Sequence, residues 1–374
     1  MTNSQWTLTP YSSFGRASLA RDWQELERRA RPSCFQSWAW IGTWLDCLPH
    51  DVDPHIAIRR SGTRITGLGV LCMSRSRRHV VLPVRSWNLT ETGRADCDTL
   101  TIEHNAPLLE SPDENFAEGL IECLGRERSS WDEFVVPGID HARAAALVQR
   151  VRECGLRVDE YDRKPWYWID LQALRTSGSG YLEALSSNTR YQIKRSRREY
   201  EKVGPLVTTV AGSMAEAREF FVALERRHQQ YWQGRGQPGA FSRPFFRRFH
   251  ERFIETRFDA GNVELVRIMA GEQEVGYLYN IVTDGVVASY QSGFVYSDQP
   301  HLKPGLVAHA AAIEHSLKVG RSGYDFLAGR SQYKDSLALS SDEMLWLRVQ
   351  RPKLKFAFER WLRELVHLWR ARRR

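Results

Sequence analysis

Two stretches of this chain repeat one local pattern 209 residues apart, and that recurrence narrows the possible folds more than any other feature. Residues 56–71 (IAIRRSGTRITGLGVL) and 265–280 (LVRIMAGEQEVGYLYN) each run apolar alternation into a glycine-containing turn and out again. Gly62 and Gly67 have the spacing of Gly271 and Gly276. Alternation of period two is what a half-buried antiparallel pair requires, so each stretch reads as a hairpin. A single core stops growing at about 250–300 residues, and the chain has 374. Two similar domains in tandem follow from length and repeat together.

The Thr, Ser and Gly cluster in residues 171–181 (LQALRTSGSGY) is the expected linker. It divides the chain into domains at 1–172 and 173–350, with 351–374 as a further basic segment. The second domain reads helix, strand, helix (214–232), loop, helix (244–258), antiparallel strands (263–294), helix (305–319), strand (323–326), helix. This order implies an α+β fold around a central sheet. In the first domain, residues 35–44 (FQSWAWIGTW) read as an aromatic core element, and Glu103, His104 and Asn105 as a polar turn.

Hydrophobic residues at 42% and charged residues at 26% exclude wholesale disorder. The net charge of +8 is local: residues 351–374 hold 9 Lys or Arg against 2 Asp or Glu, which leaves +1 for the rest. A general polyanion surface is therefore not indicated, and no DNA partner is expected. Six cysteines without CxxC spacing, and no apolar start to the chain, point to reduced thiols in a cytoplasmic protein. No stretch approaches the roughly 18 consecutive apolar residues of a membrane span. HExxH, GxSxG, P-loop and paired-cysteine patterns are lacking, so no metal is expected, and zinc hydrolase, serine hydrolase and nucleotide triphosphatase chemistry find no support.

The most informative stretch is 290–337. A strand ending near Gly293 leads through Lys303, Pro304 and Gly305 into an Ala-rich helix. Free N–H groups at a helix start, with a lysine beside them, suit a pyrophosphate. An ordinary Pro-containing loop is the plainer alternative. A short strand, YDFLAG, then precedes Tyr333 and Lys334.

PG before a helix, YDFLAG and then YK resemble the FemAB-like branch of the GNAT superfamily, in particular the BioF2-like or CelD-like acetyltransferase domain. The stretch SSNTRYQIKRSRREYEK and the GQPGAF loop are similar too. The resemblance implies two GNAT-like domains in tandem, each a mixed, mostly antiparallel sheet with helices on its faces. It further implies an N-acyltransferase moving an acyl group from acyl-CoA, such as acetyl-CoA, to a small-molecule or glycan amine, in polysaccharide or cell-envelope biosynthesis. An aminoacyl-tRNA-dependent Fem-type transferase and a non-catalytic scaffold in an envelope assembly are the alternatives. Residues 299–306 (QPHLKPGL) offer one glycine and do not keep intact the wider superfamily's pyrophosphate loop, Arg or Gln then xxGxG or xxGxA.

On this basis His301, Lys303, Gly305 and Leu306 are expected at the donor, and Tyr290, Gln291 and Arg190 at the acceptor or thioester, with Lys194 and Arg195 extending the basic face of Arg190. Direct attack on a thioester needs a base, an oxyanion donor and an acid. His228 and Asp325 are the candidate bases, His228 with a pKa suited to neutral pH. Tyr333 is the candidate proton donor and Lys334 the candidate oxyanion holder. Residues 352–370 place Leu354, Phe358, Trp361, Leu362, Leu365 and Trp369 at helical spacing among cations. That pattern fits either a helix docked on its own domain or peripheral contact with the inner face of a membrane.

Overall fold

The computed structural model describes residues 5–78, 82–111, 116–126 and 131–361. In chain order the elements are β1 (Gln5–Pro10), α1 (Arg16–Glu27), α2 (Trp38–Cys47), β2 (Pro54–Ser61), β3 (Arg64–Arg78), β4 (Leu82–Leu89), β5 (Leu108–Leu109), α3 (Ala117–Arg126), β6 (Glu133–Asp140) and α4 (His141–Glu153). There follow β7 (Arg157–Asp170), α5 (Leu171–Ser177), α6 (Tyr181–Ala184), α7 (Ser187–Glu201), β8 (Leu206–Val210), α8 (Met214–Gln233) and α9 (Pro244–Arg257). The chain continues with β9 (Val263–Ala270), β10 (Gln273–Thr283), β11 (Val286–Phe294), α10 (Pro304–Lys318), β12 (Gly323–Ala328), α11 (Gln332–Leu337) and β13 (Ser340–Gln350).

Two compact units result. The first comprises Met1–Arg31, Leu48–Arg163 and Met344–Arg374; the second comprises Pro32–Cys47 and Lys164–Glu343. Residues 171–181, read as a linker, instead form α5 and the start of α6 inside the second unit. Asp170 explains why: its carboxylate caps α5 by accepting from Ala173 N, and Gly178 closes the helix at φ 69°. The aromatic element 35–44 is core as expected, but of the second unit, where Trp40 lies against Phe249, Phe253 and Tyr290.

Each unit is built on a mixed, mostly antiparallel sheet. In the first, β1-β2-β3-β4 are antiparallel neighbours, β4 pairs with β6 in parallel, and β6 pairs antiparallel with β13. In the second, β8-β9-β10-β11 are antiparallel, β11 pairs with β12 in parallel, and β12 pairs antiparallel with β7. The two orders match strand for strand, and the repeated hairpins occupy the same place, as β2–β3 and β9–β10. Both turns use a glycine at positive φ, Gly62 at 62° and Gly271 at 58°. Both second strands carry a bulge just before the second glycine. A Cβ on Gly67 would come within 2.8 Å of Leu109, and one on Gly276 within 2.5 Å of Phe294, so neighbouring chains fill the space each glycine leaves.

The core of the second unit takes Val266, Ile268, Leu278 and Val282 from the sheet, and Val307, Ala310 and Ile313 from α10. Across the sheet, α8 buries Ala217, Phe220, Phe221 and Leu224. Its start is set by Ser213, whose side chain accepts from Glu216 N. All six cysteines are free, and five are buried. Among the described residues, no helix is long and apolar enough to cross a membrane.

Candidate active site

The second sheet opens at the carboxyl ends of its two parallel strands. β11 and β12 pair only over Val286–Ala288 and Gly323–Asp325. Beyond that point β11 continues along β10 alone, and β12 along β7 alone. Ligand sites in such sheets form where neighbouring parallel strands separate. A bulge in β11 leaves Tyr290 outside the register, between Ser289 and Gln291. Just past it, Gly293 lets α8 approach the strand: a Cβ there would sit 2.4 Å from Leu224 O.

The start of α10 lies next along the chain. Pro304 occupies its first turn and Lys303 is its N-cap, with no side chain capping it. The first intrahelical bond is Val307 N to Lys303 O, so the N–H groups of Gly305 and Leu306 have no place in the helical ladder. Neighbouring α7 fixes the loop before them. Ser196 Oγ accepts from Lys303 N at 2.9 Å, and Lys303 Nζ donates to Gln192 Oε1 at 2.6 Å. Arg195 Nη2 lies 2.8 Å from His301 Nε2, and farther along, Arg197 grips Glu314 at 2.6 Å. Gln192 is neutral, so it positions the Lys303 ammonium without cancelling its charge. The loop and α7 thus gather cations around two free N–H groups and the positive end of a 15-residue helix.

The end of β12 forms the opposite wall. Asp325 Oδ1 accepts from Trp166 Nε1 and from Leu327 N, both at 2.7 Å. Leu327 has φ 62°, and the register between β12 and β7 shifts there. Lys334 Nζ donates to Leu327 O at 3.1 Å and Ala328 O at 2.8 Å. Asp325 and Lys334 therefore grip one strained bend from its two sides, and Lys334 is 9% exposed.

Between the walls lies an aromatic group. Tyr333 stacks on His309, centroids 4.8 Å apart. Phe294 and Phe326 meet the same imidazole at its edges. Burial pushes the Tyr333 phenol up to about 12. Burial, with the charge of Lys334 second, pulls His309 down to about 3. His309 Nδ1 is 3.2 Å from Tyr324 Oη, while its Nε2 is buried without a partner. Tyr231 and Tyr296 stack at 4.7 Å beside this group. Tyr231 also adds to the upward shift of Tyr333.

His301, Lys303, Gly305 and Leu306 thus share the α10 start, and Tyr333, Lys334 and Asp325 the β12 end. Other expected residues lie elsewhere. Tyr290 belongs to a buried aromatic cluster with Trp40 and His250. Gln291, half-buried, lies opposite Tyr279 in the ladder. Arg190 donates to Glu183 O at 3.2 Å, within its own helical layer. His228 corrects a sequence expectation: wedged against Phe241 and Trp232, it is pulled down by burial to about 4, away from neutrality. In the first unit, residues 103–105 bend at His104, and Asn105 N and Nδ2 donate to Gly138 O and Leu89 O, which pins the bend to β6 and β4.

The sequence reading missed His309, Tyr231, Tyr296, Gln192 and Ser196. His309 carried a usable signal: it stands four residues after Gly305, one turn into the same helix, on the face of Gly305. Gln192 and Ser196 differ by one helical turn, but only the contact with Lys303 marks them.

Residues 187–335, 149 of the chain's 374, match the family model described as an acetyltransferase (GNAT) domain, so the second unit carries a domain of the GNAT acyltransferase family. The fold of the whole chain is similar to that of FemX, at 9% identity and TM-score 0.57, covering 87% of this chain and 95% of that one. It is similar to the C-terminal domain of a putative lysylphosphatidylglycerol synthetase from Agrobacterium fabrum, at 12% identity and TM-score 0.53, covering 92% and 95%. A conserved protein of unknown function from Bacteroides thetaiotaomicron VPI-5482 is similar at 12% identity and TM-score 0.54, covering 89% and 97%. At these identities the likeness is one of fold. No curated protein matches the chain.

Proposed function

We propose that the second unit transfers an acyl group from acyl-CoA, acetyl-CoA being the simplest, to the amine of a small molecule or glycan by direct attack. The observation that carries this is the start of α10, which presents two free N–H groups and the Lys303 charge where β11 and β12 separate. A pyrophosphate is the ligand chemistry such a helix start suits. Gly305 leaves room for close approach, since a Cβ there would meet only Phe294, at 3.4 Å. Arg195, whose guanidinium donates to His301 Nε2 at 2.8 Å, adds positive charge beside it.

In this reading the acceptor nitrogen attacks the thioester carbon, the carbon–sulfur bond breaks, Tyr333 gives its phenolic proton to the departing thiolate, and solvent returns a proton to the phenolate. A phenol held near 12 stays protonated at neutral pH, as an acid for this step must. Lys334 places positive charge beside the bend at Leu327, where it favours negative charge developing on the acyl oxygen. His228, held near 4, is a weak base, so the amine's proton is assigned to solvent. Tyr296 and Trp232, 54% and 40% exposed, offer aromatic faces on which a sugar ring could lie, which supports a glycan acceptor.

Incubation with acetyl-CoA and longer acyl-CoAs, together with amino sugars and polyamines, tests the reading by mass spectrometry and free-thiol release. An acylated amine with stoichiometric thiol is expected. Transfer from aminoacyl-tRNA alone would replace the donor, and no transfer from any donor would leave a scaffold role.

A further inference from the structure

One arginine of the second unit, beside the site, carries a charge that no carboxylate answers among the described residues. Helix α8 ends at Gln233 in a paired turn: Gly236 N donates to Gln233 O and Gln237 N to Trp232 O, both at 2.9 Å, with Gly236 at φ 69°. Gln229 Nε2 donates to Pro238 O at 2.9 Å, which ties the following loop back to the helix. Arg235 is therefore set on a fixed turn. Its guanidinium lies over the Tyr231 ring, 3.7 Å from the centroid, and its Nη1 donates to Tyr231 O at 3.3 Å. Arg226 and Arg227, about two turns earlier, are both engaged by Glu274. Arg235 is exposed, and its other N–H groups have no partner among the described residues.

The ring under that cation belongs to the site. Tyr231 stacks on Tyr296, centroids 4.7 Å apart, and meets Trp232 edge-on at 5.6 Å. It also stands close enough to Tyr333 to add, after burial, to the upward shift of that phenol. Tyr296 and Trp232 are both exposed. An arginine resting on an aromatic ring uses the face of its guanidinium, and the edge keeps a fork of N–H donors that matches two oxygens of a carboxylate or phosphate. Charge complementarity thus calls for an anion, and the exposed rings next to it offer faces for the C–H side of a sugar. A nucleic-acid strand would need a track of free cations, which the pairing of Arg226 and Arg227 with Glu274 does not supply on this stretch of α8.

We infer that Arg235, set on the Tyr231–Tyr296 stack, selects an amino sugar that carries an anionic group, a carboxylate or a phosphate, as well as its amine. The rings hold the sugar and the fork holds the anion. That this sugar is the acceptor rests on the acyl-transfer reading; that it binds here does not.

Calorimetry of the full chain with glucosamine, glucosamine-6-phosphate and galactosaminuronic acid, each without donor and with coenzyme A, tests it. At least one anionic sugar should bind roughly tenfold more tightly than glucosamine, and which one does so separates phosphate from carboxylate. The margin should narrow as salt rises. Arg235→Gln should bring the three sugars to one affinity, with melting unchanged because the side chain is exposed. Tyr296→Ala should weaken all three. Equal affinity for the three sugars in the parent, a margin that survives Arg235→Gln, or no sugar bound under either condition would overturn the inference. So would an Arg235→Gln variant that weakens coenzyme A and leaves the sugars alone, which would put the fork on the donor. Acyl transfer to neutral amines without the margin would remove the inference and keep the acyl-transfer reading, whereas the margin without transfer would do the reverse.

Discussion

The imidazole of His309 and the phenol of Tyr333 lie face to face, centroids 4.8 Å apart and planes 7° from parallel. The stack joins α10, whose start faces the sheet opening, to α11, whose Lys334 grips the end of β12. Both rings are held uncharged at neutral pH. Burial keeps His309 deprotonated, with Lys334 adding to the effect, and burial keeps Tyr333 protonated. The pair therefore presents a neutral proton donor next to a fixed positive charge.

If Tyr333 supplies the proton, Tyr333→Phe keeps the stack and removes the chemistry. We expect kcat to fall by about 10²-fold or more, with KM and melting temperature nearly unchanged. Tyr333→Ala should lose the stack as well, costing about 1 kcal/mol of stability beyond the lost burial. A Tyr333→Phe enzyme with parental kcat would remove Tyr333 from the acid role.

Much of the fold was legible because periodicity survives without tertiary context. The spans read for the helices at 214–232 and 244–258 and the strands at 263–294 lie close to α8, α9 and β9–β11. The local structure of residues 171–181 was not legible. Polar, glycine-bearing sequence marked residues 171–181 as a linker, yet the Asp170 cap and the αL Gly178 make it a helix. Nor could local pattern tell that residues 35–44, early in the chain, pack with α9. At the site, the Lys303–Gly305 and Tyr333–Lys334 groupings were visible because their members are close in sequence. The Ser196 and Gln192 bonds to Lys303 span 107 and 111 residues and leave no local trace. The depression of His228 depends on Phe241, which arrives from another element.

Two glycines beside the opening should respond oppositely to one methyl group. At Gly293 the added carbon would meet Leu224 O at 2.4 Å, and that atom is backbone of α8. Gly293→Ala must displace the helix or the strand, and should cost about 1–3 kcal/mol by chemical denaturation. At Gly305 the nearest atom is 3.4 Å away on the Phe294 ring, so Gly305→Ala should fold as the parent does. Its effect should fall on donor KM rather than on stability. Equal stability of both variants would contradict the close approach of α8 to β11.

Lys334 is asked to do two things, and substitution can separate them. Lys334→Met preserves the long side chain but leaves the carbonyls of Leu327 and Ala328 without their donor. Loss of buried partners costs about 1–3 kcal/mol, to be read from urea unfolding. Lys334→Arg restores charge and donors with a different fork. If Lys334 only braces the bend, Arg should recover stability and kcat in parallel; recovered stability with kcat still low assigns it a role in the transition state as well.

Acid should destabilise the second unit through its buried histidines. His228 is lowered by burial to about 4, His309 by burial and Lys334 to about 3, and His250 by burial well below its ordinary value. In the unfolded chain each titrates near 6.5, as an unperturbed histidine does. Above that pH neither state binds the proton, and the three residues add no pH dependence. Below it the unfolded chain takes up protons that the folded chain refuses, so stability is lost as pH falls toward the folded values. With all three engaged the slope reaches about 4 kcal/mol per pH unit, three protons at about 1.4 kcal/mol each. Urea midpoints measured from about pH 7.5 down to about pH 5 should drop steeply below about pH 6.5. His309→Gln should remove about one third of the slope, since one of three protons no longer enters. Midpoints that stay level across this range would mean that the imidazoles are reached by water and protonate in the folded state.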